Sequence, residues 1–428
     1  MSHSDYTRKI LNIKDKNINF DENCLEEKLI NKKIVKVFHG KLTYTPHVCP
    51  NCGCLYQTNP ETIIKYGFKK NCKVKIPQVS NYNTILLLDK QRFLCKYCNS
   101  TFIATTDLVD FHKQISNNTV LSVSLDLMEK ISEKYISKKN NISSSSTNRI
   151  LDSISKDKLV KNNGKLPFAL GIDEFNATKD TISKMALIIV DHTKSNIFDI
   201  NNSRLSIDIE NYFKRYSKRE RDNVKFITLD LYKPYYKLMH SLFKNAILIA
   251  DRFHVIIQAR NALDKTRIKL CYKSNPHYTK LKKYWKLILK DKRDLDNINK
   301  HYQKCFRKQM SQKDIVSFLI NTNDELYETY QIYQSVLYAV DTRNKEIFKR
   351  IINSKKKGSI HMRKALKTFK NMEQYILNAF DYQYSNGIVE GINNVIKQTK
   401  HTACGYRKFT HLKARIMLIK GLLNPIKT

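Results

Sequence analysis

The sequence predicts a multidomain chain that is α+β at its amino end and α/β in its middle, with a long all-α stretch interrupting the α/β part. Three observations predict it. Two Cys-x-x-Cys pairs lie among short strand-like runs between positions 45 and 112. Strand and helix patterns alternate from 165 to 254, and helical periodicity then continues to about 380. At 428 residues the chain has length for several buried cores.

Residues 1–44 form an amino-terminal segment of mixed charged and apolar character, in which Lys33–His39 reads as a short strand. The segment 45–112 holds Cys49-Pro50-Asn51-Cys52 and Cys95-Lys96-Tyr97-Cys98. Each pair can present two thiolates to one tetrahedral zinc, so Cys49, Cys52, Cys95 and Cys98 are the candidate ligands. Runs at Thr84–Leu88, Arg92–Leu94 and Ser100–Ala104 lead into and out of the knuckles, the pattern of a zinc ribbon. The gap between knuckles exceeds the commonest spacing of about 15–20 residues. Cys54 or Cys72 could replace a ligand; both read as small buried thiols.

Residues 113–164 are helical. Thr119–Tyr135 carries an apolar stripe through Val120, Leu121, Val123, Leu127, Met128 and Ile131. The run Ser143–Ser146, Thr147, Asn148, Arg149 offers caps ahead of a short amphipathic helix. This suits a helix-turn-helix that offers Asn148 and Arg149 to the major groove. It suits a plain helical hairpin or a Ser-rich linker equally well.

From 165 to 254 the strand candidates are Phe168–Ile172, Met185–Asp191, Ile197–Ile200, Val224–Leu229 and Ala246–Ala250, with helices at Ser206–Tyr216 and Pro234–Leu242. An antiparallel meander followed by βα units resembles a ribonuclease-H-like fold. Residues 255–380 read as an all-α insertion, and 381–428 as closing helices of the same core. The insertion is basic: residues 261–310 hold 15 Lys or Arg against 4 Asp or Glu. Its interleaved aromatics read as packed inward.

The formal net charge of +38 suits a polyanionic partner such as DNA or RNA, although the abundance of Lys, Asn, Ile and Tyr also reflects AT-rich coding. No run of about 18 apolar residues is present, and the polar stretch Met1–Asn19 lacks a signal-peptide core. These features predict a cytoplasmic protein with no membrane association, whose ten cysteines serve as thiols or metal ligands.

Asp173 and Asp230 each follow an apolar strand, and Glu390 opens a helix after the turn Ser385-Asn386-Gly387. Two acids at strand ends and one on a helix can converge to hold two divalent metals, the arrangement that phosphodiester chemistry uses. Asp251, beside His254, is the rival for the second position; it also reads as a helix cap. Lys397 lies seven residues beyond Glu390, two turns along one helix face. Lys400 and Arg407 mark a basic turn after that helix.

Four stretches together resemble the ISL-three family of bacterial insertion-sequence transposases, of the DDE superfamily. They are Gly171-Ile172-Asp173-Glu174-Phe175, Thr228-Leu229-Asp230 with Tyr235, Ala250-Asp251-Arg252-Phe253-His254-Val255, and Ser385-Asn386-Gly387 through Glu390-Gly391 to Lys397. The resemblance implies a catalytic triad of Asp173, Asp230 and Glu390 holding two Mg²⁺ (or Mn²⁺) ions, and one structural Zn²⁺. It implies cutting at terminal inverted repeats and joining of the freed 3′-hydroxyl to target DNA. It also implies double-stranded DNA partners, a dimer or higher assembly during synapsis, and a bacterial, nucleoid-associated location. Supporting roles fall to Lys397, Asp251 and His254, and DNA contacts to Asn148, Arg149, Lys400 and Arg407. The alternative is a transposase-derived DNA-binding regulator that does not cut. A tyrosine recombinase would use Tyr406 as nucleophile, with Arg407 and His411.

Overall fold

The computed structural model describes residues 2–58, 61–158, 164–355 and 358–423, a mixed α/β protein of two compact units. One unit comprises 1–160 with 395–428; the other comprises 161–394.

In the first unit a helix, α1 (His3–Ile10), begins with a reciprocal capping box between Ser2 and Asp5. It precedes a six-stranded sheet of β1 (Ile18–Asn19), β2 (Leu25–Ile30), β3 (Lys33–Leu42), β4 (Ile63–Val79), β5 (Tyr82–Cys95) and β6 (Thr101–Ile103). β4 and β5 form one long antiparallel hairpin, closed by Ser80 and Asn81, both at positive φ. The hairpin accounts for the long spacing between the cysteine pairs. The chain runs out along β4 and returns along β5, so that Cys95 comes back level with Ile63. Leu86, Leu88, Phe93, Val74, Ile76 and Ile18 bury one face of this sheet.

Three helices follow: α2 (Asn117–Asp126), α3 (Glu133–Lys139) and α4 (Ser144–Lys158). The single helix expected over Thr119–Tyr135 is therefore two. Ser132 caps α3 by accepting from the Tyr135 amide, and the chain between the helices turns away from helical geometry. α3 and α4 join through a short turn with Asn141 at positive φ. Ser143 accepts from the Ser146 amide at 3.1 Å and so starts α4. The two helices touch where Ser137 and Thr147 share a buried hydroxyl–hydroxyl bond of 2.8 Å.

The second unit is built on a five-stranded sheet of β7 (Ala169–Asn176), β8 (Met185–Asp191), β9 (Asn196–Asn201), β10 (Phe226–Leu229) and β11 (Ile247–Ala250). Its order is β11-β10-β7-β8-β9: β7, β8 and β9 are an antiparallel meander, and β10 and β11 run parallel to β7. Parallel neighbours need crossovers. α5 (Ser206–Lys214) and α6 (Lys218–Asp222) precede β10, α7 (Lys233–Leu242) links β10 to β11, and α8 (Arg252–Lys269) leaves β11. Leu170, Ile172, Ile227, Leu229, Leu248 and Ala250 bury one sheet face against Ile209, Phe213, Tyr236 and Met239.

The following helices are α9 (Tyr278–Lys283), α10 (Trp285–Ile288), α11 (Gln312–Ile320), α12 (Asp324–Asp341), α13 (Lys345–Asn353), α14 (Ile360–Asn371) and α15 (Glu373–Asp381). The stretch is not wholly helical as expected. A small antiparallel hairpin, β12 (His301–Gln303) with β13 (Lys308–Met310), interrupts it. Its strands are short and largely exposed, so no apolar alternation marks them in the sequence. Two helices close the chain, α16 (Gly387–Thr402) and α17 (Phe409–Ile419). α17 packs in the first unit, where buried Arg415 donates to the Glu129 and Ile131 carbonyls between α2 and α3. There His411 bonds Asp152 of α4 at 2.6 Å.

Candidate active site

The parallel register makes the site. Thr228 pairs with Gly171, and Leu229 with Ala250. One or two residues further on, Asp230 stands level with Asp173 on one side and Asp251 on the other. Asp173 is not at the end of its own strand, since β7 continues to Asn176 against β8. It lies at the edge because its parallel neighbour β10 stops at Leu229. Carboxyl ends of parallel strands are where open α/β sheets bind ligands.

The three acids crowd one another. His254 Nδ1 stands 3.0 Å from Asp251 Oδ2 and 3.1 Å from Asp230 Oδ1. One N–H serves one acceptor well, and the hydrogen bond goes to Asp251. Asp230 Oδ1 is left buried with no hydrogen-bond partner among the described residues. Burial, and then the charge of Asp173, push the Asp230 carboxyl up to about 7. Burial raises that of Asp173 as well. The Asp251 hydrogen bond, with the nearby carboxylates, raises the imidazole of His254. Asp251 also caps α8 by accepting from the Phe253 amide at 3.2 Å. Glu174 points to the other face, where Arg204 (2.8 Å) and the Tyr235 hydroxyl take it up.

Ligand atoms of Asp230, Asp251 and His254 lie within 4.8 Å of one another, and Asp173 adjoins them through Asp230. A divalent cation fits this set. It would neutralise carboxylates that otherwise repel, and it would satisfy the orphaned Asp230 oxygen.

Glu390 is exposed on the first turn of α16 and lies outside that tight group. Its helix is nevertheless fixed to the acid-bearing face of the sheet at three points. The Thr228 hydroxyl donates to Asn386 Oδ1, and in turn contacts His192 Nε2 at 2.8 Å. Asn393 Nδ2 donates to Asp173 Oδ2 at 2.6 Å. A Cβ on Gly171 would come within 2.8 Å of Val389 Cγ2, so only glycine lets the helix approach this closely. Sequence reasoning missed Asn393, Asn386, Thr228 and His192. The signal for Asn393 was its place three residues after Glu390, on the same helix face.

In the first unit Cys49, Cys52, Cys95 and Cys98 converge, with Cys49–Cys98 and Cys52–Cys95 sulfur separations of 3.8 Å. About 3.8 Å is the edge of a tetrahedron with centre-to-sulfur distances of about 2.3 Å, so the four thiols fit a zinc ion. The Ser100 hydroxyl, 2.9 Å from Cys98, and the Ser100 amide lower the Cys98 thiol to about 6, favouring the ligating thiolate. Cys54 and Cys72 stand apart from this group, part-buried, each turned to a backbone carbonyl.

Asn148 and Arg149 are exposed on α4, whereas Thr147, Leu151 and Ile154 face inward. Lys397 and Arg407 are exposed, and Lys400 is part-buried. Of the tyrosine-recombinase candidates, the Tyr406 hydroxyl is buried beside Arg415 and Glu133 and His411 is bonded to Asp152, which gives these two structural surroundings. No helix among the described residues is long and apolar enough to cross a membrane.

A row of acids, Asp251 buried and Asp173 and Asp230 half-buried, at the edge of the parallel strands, faced by a helix bearing a further acid, defines a candidate divalent-metal site of the kind used in phosphoryl transfer. The chain belongs to the ISL-three family of DDE transposases: the model of that family, described as transposase, matches residues 170–416, more than half of the 428 residues. The family acts on DNA and uses a divalent metal. Over 126 residues, 29% of this chain, the sequence is 34% identical to a Lactococcus lactis subsp. lactis protein named ATP-dependent protease. The chain spans 41% of that relative's length.

Proposed function

We propose that the protein binds the terminal inverted repeats of an insertion sequence, cuts there with divalent-metal chemistry, and joins the freed 3′-hydroxyl to target DNA. The observation that carries this reading is the level row of Asp173, Asp230 and Asp251 beneath the helix of Glu390. The sheet order, a meander followed by two parallel strands, supports a ribonuclease-H-like core.

In this reading Asp173, Asp230 and Glu390 hold two Mg²⁺ or Mn²⁺ ions. When bound, the ions activate an oxygen nucleophile and stabilise the leaving oxygen. Asp251 orients His254 beside the acids, and its cap fixes the start of α8. Lys397 holds a DNA phosphate. α3 and α4 act as a helix-turn-helix: Arg149 and Asn148 reach the major groove, while Lys400 and Arg407 contact the phosphate backbone. The cysteine cluster holds one structural zinc in a ribbon.

The test is incubation of the purified protein with DNA carrying the element's ends and Mg²⁺, followed by strand mapping. Nicks at the repeat ends with free 3′-hydroxyls are expected, and none with D173N, D230N or E390Q, each of which should still bind the repeat. Repeat binding without cleavage by the wild-type protein would mark a regulator instead. A covalent protein–DNA adduct would reject the metal-dependent route.

A further inference from the structure

We propose that Asn393 is a positioning residue of the metal site: it fixes the Asp173 carboxylate from the helix that carries Glu390. The inference rests on the reading of Asp173 as a metal ligand. An ionised carboxylate only accepts hydrogen bonds, so the amide nitrogen of Asn393 must face it. This fixes which way the amide points. Asp173 then has both oxygens engaged on one side: Oδ1 accepts from the Glu174 amide at 2.7 Å, and Oδ2 from Asn393 Nδ2 at 2.6 Å. The carboxylate cannot rotate without breaking one of these, and its remaining lone pairs are left for a cation.

The same amide leaves Asn393 Oδ1 buried, with no donor among the described residues. A buried acceptor without a donor is costly, and such groups in folded proteins have an explanation. Here the acceptor lies beside a group of acids suited to a hydrated divalent cation, whose waters are donors. Asn393 is itself only 7% exposed, so bulk water is a poor substitute. Both polar atoms of one side chain are thus assigned: the nitrogen to Asp173, the oxygen to the hydration shell of the cation. Asp at this position would set a second carboxylate against Asp173, and Leu would serve neither partner. The residue also sets helix position, because a hydrogen bond from α16 to β7 holds the turn that bears Glu390 against the sheet.

The experiment titrates Mn²⁺ into the full-length protein by electron paramagnetic resonance, with the Mg²⁺ dependence of repeat nicking measured alongside. N393A should weaken Mn²⁺ binding about 10- to 100-fold, as loss of an outer-shell partner does. High Mg²⁺ should restore much of its nicking, whereas D173N should not recover at any concentration. N393D keeps the size of the side chain; without metal it should melt lower than wild type and should gain more in melting temperature on adding Mn²⁺. Wild-type Mn²⁺ affinity in N393A, beside lost affinity in D173N, overturns the role of Asn393 and leaves the metal site standing. Wild-type affinity in both variants overturns the two readings together.

Discussion

Asp251 serves two donors at once, the Phe253 amide and the His254 ring, through different oxygens. That changes what its substitution should do. As a cap alone, Asn would replace Asp at almost no cost. Asn has one acceptor oxygen, so D251N can keep the cap or a bond donated by the His254 N–H, but not both. D251N should fold with nearly wild-type stability and nick repeat DNA more slowly. D251A should in addition cost about 1 kcal/mol of stability. Thermal melting and nicking rates on purified variants check both, and wild-type nicking by D251N would remove His254 orientation from the mechanism. The carboxylates were legible in the sequence because each follows an apolar run that reads as a strand. Their common level was not, because it is set by the pairing of Thr228 with Gly171 and Leu229 with Ala250, and pairing partners are non-local. Asn393 was hidden for a similar reason: its partner Asp173 is 220 residues away.

Single helices and strands show where local pattern suffices. The cysteine knuckles and the strands around them are local signals, and the structure draws the four thiols together. The α2–α3 boundary is local only in its Ser132 cap. The apolar stripe continues across it, yet the carbonyls of Glu129 and Ile131 are held by Arg415 from α17, 286 and 284 residues away. Two predictions belong at this scale. G171A should destabilise the second unit by about 1–3 kcal/mol through overpacking, since its Cβ would meet Val389 and His192 at 2.8 Å. It should also slow nicking, because α16 must shift; unchanged denaturant midpoints would show that the helix docks less closely. R149A, on the exposed face of α4, should weaken repeat binding by about 1–3 kcal/mol if it reads a base edge, and less on unrelated DNA. Equal loss on all sequences would assign Arg149 to phosphate contact.

Over the whole molecule, charge and metal dominate. With a net charge of +38, affinity for DNA should fall steeply as salt rises, log K declining linearly with log salt. A shallow slope in filter-binding or anisotropy titrations would place most of the excess lysine off the interface. Metal analysis of the full chain should give about one zinc, absent from the C95S/C98S double variant. Chelation should lower the melting temperature of the first unit, because a zinc held by the four thiols would tie the chain ahead of β4 to the end of β5.

The two-part composition of the first unit has a consequence for biosynthesis. Residues 161–394 are interposed between the segments 1–160 and 395–428 that complete it. On the ribosome α4 emerges long before α17, its packing partner, so α4 must wait for the Asp152–His411 bond and for the Arg415 anchor behind α3. A nascent or prematurely terminated chain therefore lacks the support of its proposed DNA-reading helices until the segment bearing Asp173, Asp230 and Glu390 has been made. A chain ended after Cys404 should show faster amide exchange in α3 and α4 and weaker repeat binding than the full protein. Equal protection in the two would mean that these helices are in place before translation of the segment bearing the acids is finished.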